Sequence, residues 1–184
     1  RANLYKDLER YEEALADYTR CIELDPEYKW AYNNRANLYK DLERYEEALA
    51  DYTRAIEIDP EYYWVYYYRA RFYTHLERYE EALADCEKAI ELGDDEVRGI
   101  SYYALSNIYD KQQKHIEAID VLGIVLRTFS SGWELYPDTE LKKEDVHLKR
   151  GSIYQKLNSD ILMCHDFEQA CNLGACDMFN LHCK

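Results

Sequence analysis

Apolar residues recur along the chain at intervals of three and four positions, the spacing of one helix face. Between positions 38 and 56 they are Leu38, Tyr39, Leu42, Tyr45, Ala48, Leu49, Tyr52 and Ile56. The pattern breaks near Glu43, and again at Asp25-Pro26 and Asp59-Pro60, because proline cannot continue a preceding helix. It predicts pairs of short helices, here called helix A and helix B, with a turn after each.

The helix pairs repeat with a period of 34 residues. Residues 1–34 and 35–68 are identical at 28 of 34 positions. A period of this length predicts stacked helical hairpins that bury their apolar faces against their neighbours. The six differing pairs are Cys21/Ala55, Leu24/Ile58, Lys29/Tyr63, Ala31/Val65, Asn33/Tyr67 and Asn34/Tyr68.

The residues within this period resemble the tetratricopeptide repeat family. The resemblance rests on Tyr32, Arg35, Ala36, Tyr39, Ala48, Tyr52, Ala55 and Pro60, and in the next unit on Tyr66, Arg69, Ala70, Tyr73, Ala82, Cys86 and Ala89. It implies an all-α fold, a right-handed α–α superhelix (solenoid) of about five helical hairpins with a C-terminal capping helix.

We expect one array over residues 1–184. Its units would span 1–28 (truncated), 29–62, 63–98, 99–143 and 144–174, with the capping helix at 175–184. The fourth unit contains an insertion at 128–143, expected to be a loop and an extension of the next helix A, in which Trp133 alone suggests binding. Because Arg1 opens the chain within a helical pattern, we expect the chain to be a fragment.

Charge and motifs narrow the function. The formal net charge of −14 disfavours nucleic acid and anionic membranes as partners. No apolar run approaches the length of a transmembrane helix, and a cytoplasmic location is favoured. Phosphate-binding loops, nucleophile elbows and metalloprotease motifs are missing from the sequence, so neither an enzyme nor a cofactor is expected.

Basic and acidic residues covary sixteen positions apart. Arg1, Arg35, Arg69 and Arg150 are followed by Asp17, Asp51, Asp85 and Asp166, whereas the fourth unit has Leu105 and Val121. We therefore predict structural ion pairs between helix A and its own helix B at Arg35/Asp51, Arg69/Asp85 and Arg150/Asp166. The alternative is a row of arginines that binds a ligand.

The resemblance also implies that helices A line a concave groove. Four of the six differences between the first two copies fall in helix A, so one face changes while the scaffold stays constant. We predict a groove for a protein or peptide partner formed by Trp30, Asn33, Asn34, Asn37, Trp64, Tyr67, Tyr68 and Arg71. The alternative is that these aromatic residues are core.

Some family members bind chaperone tails through asparagines and a basic cluster. Asn3 and Asn34 match the asparagines, but Trp64 and Tyr68 replace the basic residues, so that ligand is not expected. The protein should be an interaction scaffold. The alternatives are self-association through an exposed terminal repeat, giving a homo-oligomer, and a metal- or redox-responsive C-terminal hairpin.

The cysteines near the C-terminus are mirror-placed about one turn. An antiparallel hairpin could join Cys164 to Cys183 and Cys171 to Cys176, or could hold a metal with His165 or His182. Disulfides require an oxidising compartment, and short metal-site spacing is lacking, so reduced, buried thiols are favoured.

Overall fold

The computed structural model of the protein describes residues 10–130 and 141–183. Within these two stretches every regular element is an α-helix, which confirms the all-α class expected from the periodicity. The helices are α1 (Tyr11–Leu24), α2 (Lys29–Asp41), α3 (Tyr45–Ile58), α4 (Tyr63–His75), α5 (Tyr79–Leu92), α6 (Asp95–Lys111), α7 (His115–Ser130), α8 (Lys143–Lys156), α9 (Asp160–Asn172) and α10 (Asp177–His182).

The chain forms two compact units, residues 1–88 and residues 89–184, and the boundary falls within α5. In the first unit α2 packs along α3, and α2 also contacts α1 and α4. In the second unit α6 packs along α7 and α8 packs along α9, which contacts α10. These hairpins are the helix A and helix B pairs of the sequence pattern.

The turn inside each hairpin depends on one residue in the left-handed backbone region. Glu43, with a φ of 59°, follows α2. The N–H of Arg44 donates to the carbonyl of Tyr39 at 2.8 Å, which satisfies an acceptor that the helix end would leave unpaired. The same turn recurs at Glu77, Gln113 and Asn158, with φ of 59°, 61° and 53°.

The turn between hairpins is built by the Asp-Pro-Glu sequence. Asp25 Oδ1 accepts a hydrogen bond from the N–H of Glu27 at 3.0 Å. The hydroxyl of Tyr32 in α2 donates to the carbonyl of Pro26 at 3.3 Å, so the aromatic residue fixes the start of helix A. Both bonds recur in the next turn, at Asp59, Pro60, Glu61 and Tyr66.

A different turn precedes α6, where Gly93-Asp94 replaces Asp-Pro. A Cβ at Gly93 would lie 2.6 Å from the carbonyl oxygen of Ala89 and 2.8 Å from Val97, so only glycine fits the close approach. Asp94 caps α6 by accepting a hydrogen bond from the N–H of Val97 at 3.0 Å.

Each unit has its own core, in which helix B of one hairpin packs against helix A of the next. In the last hairpin Gly151 of α8 faces Phe167 of α9, and a Cβ at Gly151 would approach the phenyl ring to 2.4 Å. The core of the first unit includes Ala14, Leu15, Tyr18, Ala31 and Leu38, and that of the second includes Ala118, Leu122, Val125, Val146 and Ile153.

Some residues singled out in the sequence lie outside the described ranges. These are residues 131–140 of the expected insertion, which include Trp133, and also Arg1 and Asn3. Helix α10, which packs on α9, lies within the range expected for the capping helix. None of the helices that the structure describes is both long and apolar enough to cross a membrane.

Candidate functional site

The arginine and aspartate side chains of the first unit lie in contact. Arg35 Nε and Nη2 donate to the carboxylate oxygens of Asp51 at 2.6 and 2.8 Å. Arg69 binds Asp85 in the same bidentate way at 2.7 and 2.8 Å. The hydrogen bond that Arg35 donates to Asp51 raises the pKa of Arg35. Because each guanidinium is engaged by a carboxylate of its own helix B, the geometry favours a structural role over a ligand-binding row.

The second unit has one such pair with an added histidine. Arg150 donates to Asp166 at 2.8 and 2.7 Å, and His147 Nδ1 lies 3.0 Å from the same carboxylate. Burial acts to raise the pKa of Asp166, but the hydrogen bonds from Arg150 and His147 outweigh it and the pKa is lowered. Leu105 and Val121, which replace the pair in the fourth unit, are both buried.

On the predicted groove face of α2, Trp30 is 45% exposed. Its ring packs edge-on against Tyr62, with centroids 4.6 Å apart. The ammonium of Lys29 lies over both rings and pairs with Asp59 across the turn. Trp30 is therefore a supported but accessible aromatic side chain, and Asn34, one turn further on, is half-buried.

Of the two other asparagines predicted for the groove, Asn33 is buried and Asn37 is half-buried. Asn33 is 2% exposed, whereas Tyr67 at the equivalent position is half-buried. Asn33 Oδ1 is buried without a hydrogen-bond partner among the described residues. The Asn37 side chain hydrogen-bonds within the protein. Its Nδ2 donates to the carbonyl of Asn33 at 3.0 Å, and its Oδ1 accepts from the buried Tyr52 hydroxyl at 2.8 Å.

On α4 the predicted residues form a continuous aromatic group. The ring of Trp64 stacks on that of Tyr68 with 26° between the planes, and meets that of Tyr67 at 79°, with both centroids 6.0 Å away. The rings of Tyr67 and Tyr68 are 5.3 Å apart. All three side chains are half-buried, so each presents part of its ring to solvent.

Tyr62, the residue before α4, is 6% exposed and packs against the ring of Trp30. Burial raises the pKa of the Tyr62 hydroxyl. We call Trp30, Trp64, Tyr67 and Tyr68, together with the buried Tyr62 that supports Trp30, the aromatic surface. The sequence did not predict a role for Tyr62, because the groove was inferred from positions that differ between the two copies and this position is tyrosine in both, as Tyr28 and Tyr62.

Arg71 lies at one end of the aromatic surface and is exposed. Its guanidinium lies over the Tyr67 ring, 5.6 Å from the centroid, and its Nη1 donates to the Tyr67 hydroxyl at 3.4 Å. Within the described residues, Arg71 forms no ion pair with a carboxylate. The other cationic side chains of α2 and α4, Lys29, Arg35, Lys40 and Arg69, pair with Asp59, Asp51, Asp41 and Asp85.

A second polar cluster, in the residue 89–184 unit, was not foreseen. Asp110 of α6 accepts hydrogen bonds from Lys149 at 2.6 Å and Lys156 at 2.7 Å, both from α8. Burial acts to raise the pKa of Asp110, but these two hydrogen bonds prevail and lower it. Since the residues are 39 and 46 positions apart, no local sequence pattern could have paired them.

The C-terminal cysteines form two disulfides, Cys164–Cys183 and Cys171–Cys176, instead of the reduced thiols favoured from the sequence. The α9–α10 turn brings the Cα atoms of the two pairs to 5.5 and 4.0 Å. The first separation lies within the usual range for a disulfide. Cys21 and Cys86 carry free thiols, and burial raises the pKa of Cys86 to about 12. In the part of the chain that the structure describes, no group of three His, Cys, Asp or Glu side chains is placed to hold a metal.

Three segments of the first half of the chain match models of known protein families. Residues 30–62 and residues 51–84 match two models described as tetratricopeptide repeat, and residues 2–43 match a model described as TPR repeat. No curated protein sequence matches the chain.

Several solved structures share the fold. PilF of Pseudomonas aeruginosa has a TM-score of 0.78 at 17% identity, covering 100% of this chain and 73% of that one. MamA of Desulfovibrio magneticus has a TM-score of 0.72 at 14% identity, covering 94% of both chains. YrrB, described as a TPR protein with an unusual peptide-binding site, has a TM-score of 0.69 at 22% identity, covering 98% of this chain and 87% of that one. At these identities the likeness shows the fold alone.

Proposed function

We propose that this chain, which belongs to the tetratricopeptide repeat family, binds a segment of a partner protein on the aromatic surface of its first unit. Membership of the family indicates a protein-interaction scaffold in general. The finer proposal is that helices α2 and α4 present the binding face. The mechanism is binding without chemistry, so the protein acts by holding its partner.

One observation carries this proposal: accessible aromatic rings cluster where two nearly identical copies differ. Asn33/Tyr67 and Asn34/Tyr68 are two of the six differences between residues 1–34 and 35–68. Among these residues Asn34, Tyr67 and Tyr68 are half-buried. Trp64 is also half-buried, and Trp30 is 45% exposed. Tryptophan and tyrosine supply large contact areas at low entropic cost, and they dominate protein interfaces.

The proposal predicts that Trp64→Ala with Tyr68→Ala abolishes partner capture without changing helicity. Both side chains lie on the accessible face, so removing them takes away contact area and leaves the buried positions of α4 intact. A display library of random peptides, selected on the wild-type chain and rescreened on the variant, measures capture, and circular dichroism measures helicity.

The matched control is Leu24→Ala, which removes an exposed apolar side chain of α1 that is 71% accessible and lies outside the aromatic surface. The selected peptides should bind this control as they bind the wild type. Equal binding to the double variant, or its unfolding, would place the rings outside any recognition role.

The disulfides favour a second function, a redox-responsive C-terminal hairpin. Helix α10 has six residues, too few to be stable alone, and the two disulfides join the residues on either side of it, Cys176 and Cys183, to α9. Disulfides also favour an oxidising compartment over the cytoplasm expected from the sequence. Reduction should therefore release α10. Hydrogen exchange of residues 177–182 with and without dithiothreitol tests this, with α3 as an internal control. Unchanged exchange, or six free thiols instead of two in the protein isolated under acid, would exclude it.

A further inference from the structure

The hydrogen-bonding groups of the aromatic surface restrict the chemistry of its ligand. Trp30 and Trp64 each carry an indole N–H, a group that can donate but cannot accept. Neither N–H donates to another residue within the described part of the chain, and neither does the side-chain amide of Asn34. The tyrosine hydroxyls and the amide of Asn34 can both donate and accept. The two indole N–H groups therefore call for acceptors on a ligand, and the rings offer it flat apolar faces.

A polypeptide that leaves its backbone carbonyls free can accept hydrogen bonds from the two indole N–H groups. Proline has no backbone N–H, and a polyproline II helix makes no internal hydrogen bonds, so its carbonyls are available. Its flat pyrrolidine rings pack on aromatic faces, which is how aromatic-lined grooves bind proline-rich segments. An amphipathic helix would instead satisfy its own carbonyls and leave both indole N–H groups unmatched.

The near-perpendicular rings supply a shape for proline side chains. Trp64 and Tyr67 meet at 79°, and Trp30 and Tyr62 meet at 61°. On α4 the face of one ring lies beside the edge of the other, whereas the ammonium of Lys29 lies over the Trp30 and Tyr62 rings. The α4 pair and the exposed part of Trp30 suit a ligand that presents rings along an extended backbone.

The charge at the end of the surface adds one more requirement. Arg71 is the cation of α2 and α4 that lacks a carboxylate partner among the described residues, while its neighbours are paired. Its guanidinium is held over the Tyr67 ring, so it is oriented at the margin of the aromatic surface. A carboxylate from the ligand would complete an ion pair there.

We propose that the aromatic surface and Arg71 bind a proline-rich segment in the polyproline II conformation with a carboxylate side chain next to its prolines. This inference rests on the proposed function, because it names the partner class for the same surface. Trp30 and Trp64 donate to backbone carbonyls, the rings hold the prolines, and Arg71 selects the acidic residue.

Three fluorescein-labelled synthetic peptides, titrated into the full chain by fluorescence anisotropy, test the proposal. The first is oligoproline followed by glutamate and an amide cap, the second has glutamine in place of glutamate, and the third has alanine in place of every proline. We expect the glutamate peptide to bind about fivefold tighter than the glutamine peptide, as one exposed ion pair provides. The alanine peptide should not saturate.

Arg71→Gln should remove the preference for glutamate, so that this variant binds the glutamate and glutamine peptides with equal affinity. Arg20→Gln is the matched control, because Arg20 is a cation of the same unit that lies on α1 with its side chain 66% exposed. This control should keep the full preference. Equal binding of the proline and alanine peptides, or a glutamate preference that survives Arg71→Gln, would overturn the inference.

The display selection described above separates this inference from the proposed function. Selected peptides that need Trp64 and Tyr68 but contain no prolines would overturn the proline-rich ligand and support the binding function. A selection that yields no peptide dependent on these residues would contradict both. Enrichment of proline next to Asp or Glu supports both.

Discussion

Arg35 and Asp51 show how a single residue pair ties helix A to helix B. Two parallel hydrogen bonds join the side chains, which are 15% and 9% exposed, and Arg35 Nη1 also donates to Thr19 of α1 at 3.1 Å. One guanidinium therefore links three helices. Removing only one member of such a buried ion pair strongly destabilises a protein, because the remaining charge stays buried without its partner.

Replacing both members of this pair should be tolerated better than replacing one. Arg35→Leu or Asp51→Val alone should cost about 3 kcal/mol of unfolding free energy, whereas the double variant should lose less than the sum, with a coupling of about 1–3 kcal/mol. The fourth unit already contains this apolar combination in Leu105 and Val121. Urea unfolding of the four proteins in the cycle measures the coupling.

The exposed pair Arg54–Glu57 provides the comparison, because its side chains are 47% and 58% accessible. Its coupling should stay below about 0.5 kcal/mol. Additive losses at Arg35 and Asp51 would show that the pair does not stabilise the hairpin as a unit.

Asp166 should make the stability of the second unit fall in acid. The folded state lowers its pKa, so the carboxylate contributes stability above the unfolded value of about 4, and this contribution is lost as the pH falls through the folded pKa. In urea titrations the stability gap between wild type and Asp166→Asn should be constant above pH 5 and should shrink below pH 4. A gap that widens in acid would reverse the assignment.

Contacts between residues were predictable from the sequence only within one repeated hairpin. The sixteen-residue spacing was sufficient to propose Arg35 with Asp51, because the contact lies within one repeated hairpin. It could not suggest Asp110 with Lys149 and Lys156, which belong to different hairpins of unequal length. Nor could it show that Asn33 is buried, because helix periodicity gives the direction of a side chain but not the reach of its neighbours.

At the scale of the element, hairpin packing depends on how closely α8 and α9 approach. Gly151 meets Phe167, where a Cβ would lie 2.4 Å from the ring. The second unit would have to shift to accept any side chain there. Glycine is otherwise unfavourable within a helix, so its presence in α8 is explained by this contact.

Gly151→Ala should therefore destabilise the protein by about 1–3 kcal/mol through overpacking. Gly123→Ala is a matched control, since Gly123 is also helical but the nearest atom to its Cβ would be Arg127 Nη1 at 3.6 Å, an ordinary contact. That change should be neutral or stabilise by up to about 1 kcal/mol. Thermal unfolding of both variants distinguishes them, and equal effects would remove the packing explanation.

The presence of the helices and the positions of the turns between them were the features best predicted from the sequence. Proline at positions 26 and 60 marked two helix boundaries, and the 34-residue copy made the pattern certain in the first unit. The left-handed turn residues Glu43 and Glu77 were not predictable by type, because glutamate has no preference for that conformation. Hydrogen bonds from the following residue stabilise it there.

At the scale of the whole molecule, the chain combines a regular first unit with a second unit that departs from the repeat. The first unit carries the aromatic surface, and the second ends in the disulfide-linked α9 and α10. The cysteine pairing followed from mirror-placed positions in the sequence, but its oxidation state did not, since that depends on the distances that folding creates.

The central claim is that α2 and α4 hold a partner segment on their accessible rings, and mapping the bound segment tests it most directly. Hydrogen–deuterium exchange of the full chain, with and without a peptide from the display selection, locates the contact. The account predicts added protection in residues 29–41 and 63–75, with none in residues 143–172, and no change in the Trp64→Ala, Tyr68→Ala variant. Protection confined to the second unit, or retained in that variant, would contradict it.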